Sequence, residues 1–428
     1  MTPVCCAVAD DDTGATDLAG MLAEQGLRTV LLIDVPDEER VREWSADKDA
    51  VIVGTGTRAL PASESYERTR EAVRRMRALS PRVLQIKYCS TFDSTTEGNI
   101  GPSIDAAMDE SGEAFTVALP ALPVNGRTTY MGYHFVHQQL LSDSPMRHHP
   151  LTPMTNSNLV THLQAQTKRK VGLATFPVTR EKLDRLRDGG VQIAILDCIS
   201  DTDLQSVCGA IVDLRLISGS SAPGVALPTL WREKGWWTAR PQLLRRLDPS
   251  GTGYLVVAGS CSQATHAQNE WAQVHGAEIL KLDPLQLASG DAPADAVNAV
   301  VENLSRGRVC ILLASSGRDE VRQVQAWGRA QGWTANETGL RIAYTVAEVA
   351  RQVLEARIPA GLIVAGGETS GAVCRRLELH ALEIGRNIEP GVPLCVSLGR
   401  FRLPVALKSG NFGSADFYAR AVDAMQAL

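Results

Sequence analysis

Val4-Cys5-Cys6-Ala7-Val8-Ala9 runs straight into Asp10-Asp11-Asp12-Thr13-Gly14, and this junction decides the class of fold. Six small apolar residues with no polar alternation read as a strand buried on both faces. After the acidic turn a helix reaches about Gln25, with Leu18, Met21 and Leu22 on one face and Gly26 ending it. The same unit recurs outward from here. Residues 28–35, 50–54, 83–88 and 115–119 read as strands, with a charged helix over 64–79. Strands alternating with helices at this spacing predict a mostly parallel sheet covered on both faces. Residues 120–153 break the rhythm with Pro, Gly and His clusters and read as long loops over a sheet edge. The pattern resumes at 170–176 and 191–197, then a helix over 203–213. A second series opens at 254–259 and runs through 309–314, 361–366 and 394–407, with helices at 292–304 and 346–357.

At 428 residues the chain exceeds what one hydrophobic core usually supports. Two α/β domains with mostly parallel sheets are therefore expected, with the active site in the cleft between them. The Gly-, Ser- and Pro-rich run 218–228 and the polar stretch 240–253 set the boundary, giving domains over 1–240 and 241–428. A net charge of −5 argues against a nucleic-acid partner, which calls for a basic domain or stripe. No apolar run nears the roughly 20 residues that span a bilayer, and the acidic N-terminal segment lacks the basic start of a targeting signal. The expectation is a cytoplasmic protein with no membrane partner. Nine scattered cysteines without C-x-x-C spacing read as reduced thiols.

Polar residues gather where strands end, and in open α/β sheets ligands bind there. Lys87-Tyr-Cys-Ser90-Thr-Phe-Asp93-Ser94-Thr-Thr-Glu-Gly98-Asn99 packs hydroxyls, a carboxylate and glycine after one strand. Such a set suits a polyhydroxy acid; helix capping accounts for one such residue, not six. Asp10, Asp11 and Asp12 suit alcohol recognition, proton abstraction or magnesium held through water, and equally the positive end of the following helix. Gly366-Gly367-Glu368-Thr369-Ser370-Gly371 opens a helix after a strand, a natural phosphate cradle. Lys408-Ser-Gly410-Asn-Phe-Gly413, Gly259-Ser260-Cys-Ser262 and Ser315-Ser316-Gly317 add three small-residue turns. Four such turns with a lysine favour polyphosphate. The chain lacks a G-x-x-x-x-G-K-[ST] string, which counts against a P-loop kinase. Gly54-Thr-Gly56-Thr-Arg58-Ala59 matches a dinucleotide pattern but follows the third strand, with no acidic strand end about 20 residues on. Arg58 there is better suited to clasping a substrate carboxylate. His134 and His137 could share a helix face, and His148 and His149 lack a spaced partner, so no metal ligands are assigned.

These motifs resemble those of the four-carbon acid sugar kinase family. Residues 9–15 are similar to its A-D-D-x-T-G turn, and residues 87–102 carry the Tyr-Cys-Ser-Thr-Phe-Asp-Ser-Thr form of one branch. Residues 146–155, 366–371 and 408–413 complete the ordered set. Asp12 stands where the family usually has an apolar residue, and the segment around Arg58 departs from its pattern. The resemblance implies a sugar domain followed by a nucleotide domain. It also implies transfer of the ATP γ-phosphoryl group, with Mg2+, to the C4 hydroxyl of 3-oxo-tetronate, or of threonate or erythronate. By position it implies ATP contacts at Ser260, Gly366, Gly367, Glu368, Thr369 and Gly410, to which the reading of the turns adds Lys408. On the sugar side it points to Asp10, Asp11, Arg58 and Asp93, with Lys87, Ser90 and Ser94 beside them. Asp93 is the expected base, Asp11 the second choice. The resemblance leaves room for a homodimer. A nicotinamide-dependent oxidoreductase on the Gly54 turn, or a non-catalytic acid-sugar sensor, is the rival reading.

Overall fold

A computed structural model describes residues 2–148, 152–240, 244, 251–314 and 317–428. The chain forms two compact units, Met1–Gln242 and Leu243–Leu428. The first carries strands β1 (Cys5–Ala9), β2 (Thr29–Ile33), β3 (Ala50–Gly54), β4 (Val83–Lys87) and β5 (Thr116–Leu119). Three short strands follow, β6 (Arg127–Tyr130), β7 (Tyr133–Val136) and β8 (Gln139–Leu140), and then β9 (Val171–Ala174), β10 (Ile193–Leu196) and β11 (Leu216–Gly219). The main sheet has the order β2-β3-β1-β4-β11-β5-β10-β9, and every pair in it is parallel. β1 lies inside this sheet with all five residues buried, which is why its sequence shows no alternation. Its cysteines act as small hydrophobes, and burial pushes the Cys5 thiol up to about 12.

The second unit carries β12 (Tyr254–Ala258), β13 (Glu278–Lys281), β14 (Val309–Leu313), β15 (Gly361–Ala365), β16 (Ala381–Glu389), β17 (Val392–Ser397) and β18 (Pro404–Lys408). Their order is β13-β14-β12-β15-β18-β17-β16, parallel as far as β18 and antiparallel across β17. Helices pack on the sheet; Phe417, Tyr418 and Ala421 of the last one join the core formed by Val256, Ile363 and Ala406. No helix among the described residues is long and apolar enough to cross a membrane.

Four expectations change. The small residues at 218–228 are not a linker: β11 lies between β4 and β5, and a helix Pro223–Glu233 follows. Small side chains are needed there because a Cβ on Gly219 would stand 2.3 Å from the Leu119 carbonyl oxygen. Residues 394–407 are two antiparallel strands rather than one, with Pro404 at the start of β18, where a missing N–H costs least. The helix read at 346–357 is the end of Ala335–Ala356, begun by a capping box of Thr334 and Glu337. Finally, residues 127–140 are an antiparallel three-stranded sheet rather than plain loops. His134 lies on β7 and His137 in the turn after it, at φ +55, so they share no helix face. Aromatic and β-branched residues favour that strand pair. His149, Ser315 and Ser316 lie outside the described residues.

Candidate functional site

In the first unit β1, β3 and β4 end side by side, with Ala9, Gly54 and Lys87 in register. The turn after β1 begins the helix Asp12–Glu24, with Asp11 as its cap. The Asp11 carboxylate accepts from the Gly14 N–H at 2.8 Å and the Thr13 hydroxyl at 3.0 Å. Arg58 leans in from the loop after β3. Its Nε and Nη2 donate to the two Asp10 oxygens at 2.9 and 2.8 Å, and Nη2 also lies 2.9 Å from Asp11. Burial works against the Arg58 charge, but Asp10 and Asp11 outweigh it and hold the guanidinium protonated. Burial likewise pushes the Asp11 carboxyl up; Arg58, Lys87 and the Gly14 N–H overcome this and leave it below the ordinary value.

Two consequences bear on the sequence reading. The fork of Arg58 expected to clasp a substrate carboxylate is already taken bidentately by Asp10, leaving the Nη1 edge. Asp11, low in pKa and holding three donors, is a poor proton acceptor. Lys87 is buried at the end of β4 and donates to the Tyr88 carbonyl at 3.0 Å. The Gly54 turn builds no dinucleotide site: Thr55 bonds back to Ala9, and the next helix starts only at Ala62 behind an uncapped Pro61.

The loop after β4 carries Ser90, Asp93 and Ser94, and its Cys89 lies within electrostatic reach of both Asp93 and Arg58. The Asp93 carboxylate accepts from Thr91 at 2.5 Å, fewer donors than Asp11 has. Asp93 raises the Cys89 thiol and Arg58 lowers it; burial, the largest influence, pushes it up to about 12. The Asn99 amide joins the two loops, donating to the carbonyls of Thr57, at 3.1 Å, and Arg58. Sequence reading missed Asp17, one turn into the helix from Asp12. It accepts from the Ser221 hydroxyl, and burial raises its carboxyl although Lys87 is near. Its signal was an acidic residue amid Ala15, Leu18 and Ala19.

In the second unit the predicted residues converge as well. β12, β15 and β18 end in register at Ala258, Ala365 and Lys408. A Cβ on Gly259 would fall 2.1 Å from Thr369 Oγ1, one on Gly410 2.0 Å from Ser260 Oγ, and one on Gly366 3.2 Å from the Ser260 nitrogen. Three turns thus meet with no room between them for side chains. Gly366, at φ +132, opens the helix Gly367–Arg376 with no side-chain cap, so the N–H groups of its first turn have no partner within the helix. Lys408 is fully buried beneath these turns, donating to Thr265 Oγ1 and the Gly410 carbonyl at 3.2 Å each. It braces the turn from below, where it was expected to reach phosphate. Burial holds its pKa down to about 8.

A pocket opens beside Gly259 and Thr369, lined by the apolar Val321, Ile342 and Val346 and by Glu368. The helices supplying those walls carried no motif, so sequence reading did not find the pocket.

The chain matches a family model described as a sugar-binding N-terminal domain over residues 5–227, and one described as a nucleotide-binding C-terminal domain over 255–418. A 3-oxo-tetronate kinase of Cupriavidus necator is 42% identical over 98% of this chain and 96% of its own length. One from Pseudomonas fluorescens is 41% identical, covering 98% and 96%. Among solved structures, a Haemophilus influenzae protein superposes with TM-score 0.79 at 32% identity, covering 98% of this chain and all of that one. A Salmonella typhimurium chain, provisionally described as a tRNA synthase, gives 0.80 at 33%, covering 97% and 98%. Ordered motifs, both domain matches and relatives alike over nearly their full length agree: the chain belongs to the four-carbon acid sugar kinase family.

Proposed function

We propose that the chain transfers the γ-phosphoryl group of ATP to the C4 hydroxyl of 3-oxo-tetronate, giving 3-oxo-tetronate 4-phosphate and ADP. The observation that carries this reading is the meeting of Ser260, Gly366, Thr369 and Gly410 at one strand-end crevice beside a largely apolar pocket. The second unit is then the nucleotide domain. Its apolar walls take the adenine, and the N–H groups at Gly367, Glu368 and Thr369, which have no partner within the helix, take phosphate oxygens. Lys408 keeps the Gly410 turn in place. Magnesium carried in on the nucleotide would supply neutralisation of the charge building on the transferred group. Glu368 and Thr369 offer it hard oxygen donors. Among the described residues no three His, Cys, Asp or Glu side chains form a metal cage; an ion bound mainly through phosphates needs only one or two carboxylates.

The first unit is the acid-sugar domain. Asp10, locked by Arg58, accepts substrate hydroxyls, while the Nη1 edge of Arg58 and the Ser90 hydroxyl hold the rest of the molecule; the Ser94 hydroxyl, expected to join them, is fully buried and bonded to Asn99 and Gln166, so it shapes the loop instead. Arg58, with Lys87 behind it, keeps Asp11 ionised. Asp93 accepts the proton of the C4 hydroxyl as its oxygen attacks phosphorus in line with the leaving ADP oxygen. We place the enzyme in the cytoplasm.

ADP release measured across 3-oxo-tetronate, threonate and erythronate in both stereochemical series tests this. Turnover should be fastest with a 3-oxo acid and yield a C4 phosphate ester. Faster turnover with threonate or erythronate would move the substrate assignment within the family. Failure of ATP–Mg to raise Tm, with NAD raising it instead, would overturn the kinase reading.

A further inference from the structure

Four side chains from the stretch after β5, those of His134, Met154, His162 and Gln166, reach the loop holding Asp93 and the helix start that follows it. His134 Nε2 lies 2.8 Å from the Ser90 carbonyl oxygen, and its Nδ1 lies 3.0 Å from Thr129 Oγ1. His162 Nε2 lies 3.0 Å from the Ser94 carbonyl oxygen. Met154 Sδ accepts from the Ser94 N–H at 3.4 Å, and Gln166 Oε1 accepts from the Ser94 hydroxyl at 3.3 Å and the Gly101 N–H at 2.9 Å. A carbonyl can only accept, so Nε2 of each ring carries the proton, and Thr129 donates to Nδ1 of His134. Both imidazoles are buried. Burial holds His134 down to about 4 and lowers His162, so both are neutral near pH 7.

The two carbonyls bracket Asp93 along the chain. Between them Phe92, fully buried, sits at φ +55, a conformation a bulky residue holds only when its surroundings impose it. Its ring meets Tyr88 edge-on at 5.3 Å and His162 at 5.9 Å. β7 delivers His134 and the helix Leu159–Gln164 delivers His162.

We propose that His134 and His162 are positioning residues for phosphoryl transfer. Their Nε2–H groups pin the carbonyls on either side of Asp93, so that its carboxylate meets the acceptor hydroxyl. This rests on Asp93 lying in the acceptor site. The test is steady-state kinetics with both substrates varied, on His134→Ala, His162→Ala and the N–H-donating His134→Gln and His162→Gln, with Tm alongside. Misplacing a reacting group by an ångström costs up to about a hundredfold, so the alanine variants should lose roughly ten- to hundredfold in kcat with KM for ATP unchanged. The glutamine variants should recover most of it. Folded alanine variants with wild-type kcat, or glutamine variants no better than alanine, would overturn the proposal. If an alanine variant does not fold, its glutamine counterpart decides: near wild-type kcat supports the role, and a loss as deep as that expected of alanine removes it. Asp93→Asn separates the two failures. If it turns over normally, the acceptor-site reading is wrong; if it is inactive while the histidine variants are silent, only the positioning roles fall.

Discussion

The two candidate half-sites are built from opposite materials. In the first unit, charged side chains do the work: Asp10, Asp11 and Asp17 stand against Arg58 and Lys87, largely out of water and tied to one another. In the second, backbone does it: three glycine turns meet so closely that a Cβ has no room, and Lys408 is buried beneath them. The contrast follows from the proposed ligands. A triphosphate carries its own charge and its own metal, so it needs N–H groups and space. A four-carbon acid presents hydroxyls that look alike, and telling them apart takes fixed carboxylates and donors. The first half-site should therefore be sensitive to charge, and the second to volume.

The comparison breaks most visibly at Asp93. Asp93→Asn should cut kcat by roughly 10²- to 10⁴-fold, the range for loss of a general base, while KM for ATP holds; unimpaired turnover would remove Asp93 from the chemistry. Next comes Arg58→Met, which strands Asp10 without its partner. Removing one member of a buried ion pair costs about 3 kcal/mol or more, read as a fall in denaturant midpoint. Adding Asp10→Asn should return part of it, and a double variant no better than the single would deny the pairing. Gly259→Ala sharpens the other side. Its Cβ would drive Thr369 from the crevice, raising KM for ATP about tenfold, a loss of ~1.4 kcal/mol in binding, with acceptor KM unchanged.

The smallest effect is one of pH. Lys408 is depressed to about 8 in the folded chain from 10.5. Between those values the unfolded chain holds a proton that the folded one has released, so the wild type should gain stability as pH rises through that window. Lys408→Met should lack this gain, and parallel stability curves from pH 7.5 to 10.5 would show that Lys408 keeps its charge.

The sequence displayed the βα rhythm because parallel strands buried on both faces, such as 4–9 and 254–259, are unbroken apolar runs. It displayed Ser260, Gly366, Thr369 and Gly410 because a turn that must exclude Cβ atoms has to be written in glycine and small residues. It hid β11, since the small residues that let β11 approach β5 look like a linker. The occupied fork of Arg58 was hidden too: an arginine awaiting a substrate and one clasping Asp10, 48 residues away, read alike. His134 looked like half of a helix-face pair with His137 because its target, the Ser90 carbonyl, lies 44 residues back. Long-range partners leave no local pattern.

Calorimetric titration of ADP into wild type, Gly410→Ala and Asp93→Asn tests the division of labour most directly. Gly410→Ala should bind ADP at least tenfold more weakly, because its Cβ would displace Ser260, and Asp93→Asn should bind it as wild type does. Unchanged affinity in Gly410→Ala together with lost affinity in Asp93→Asn would contradict the account.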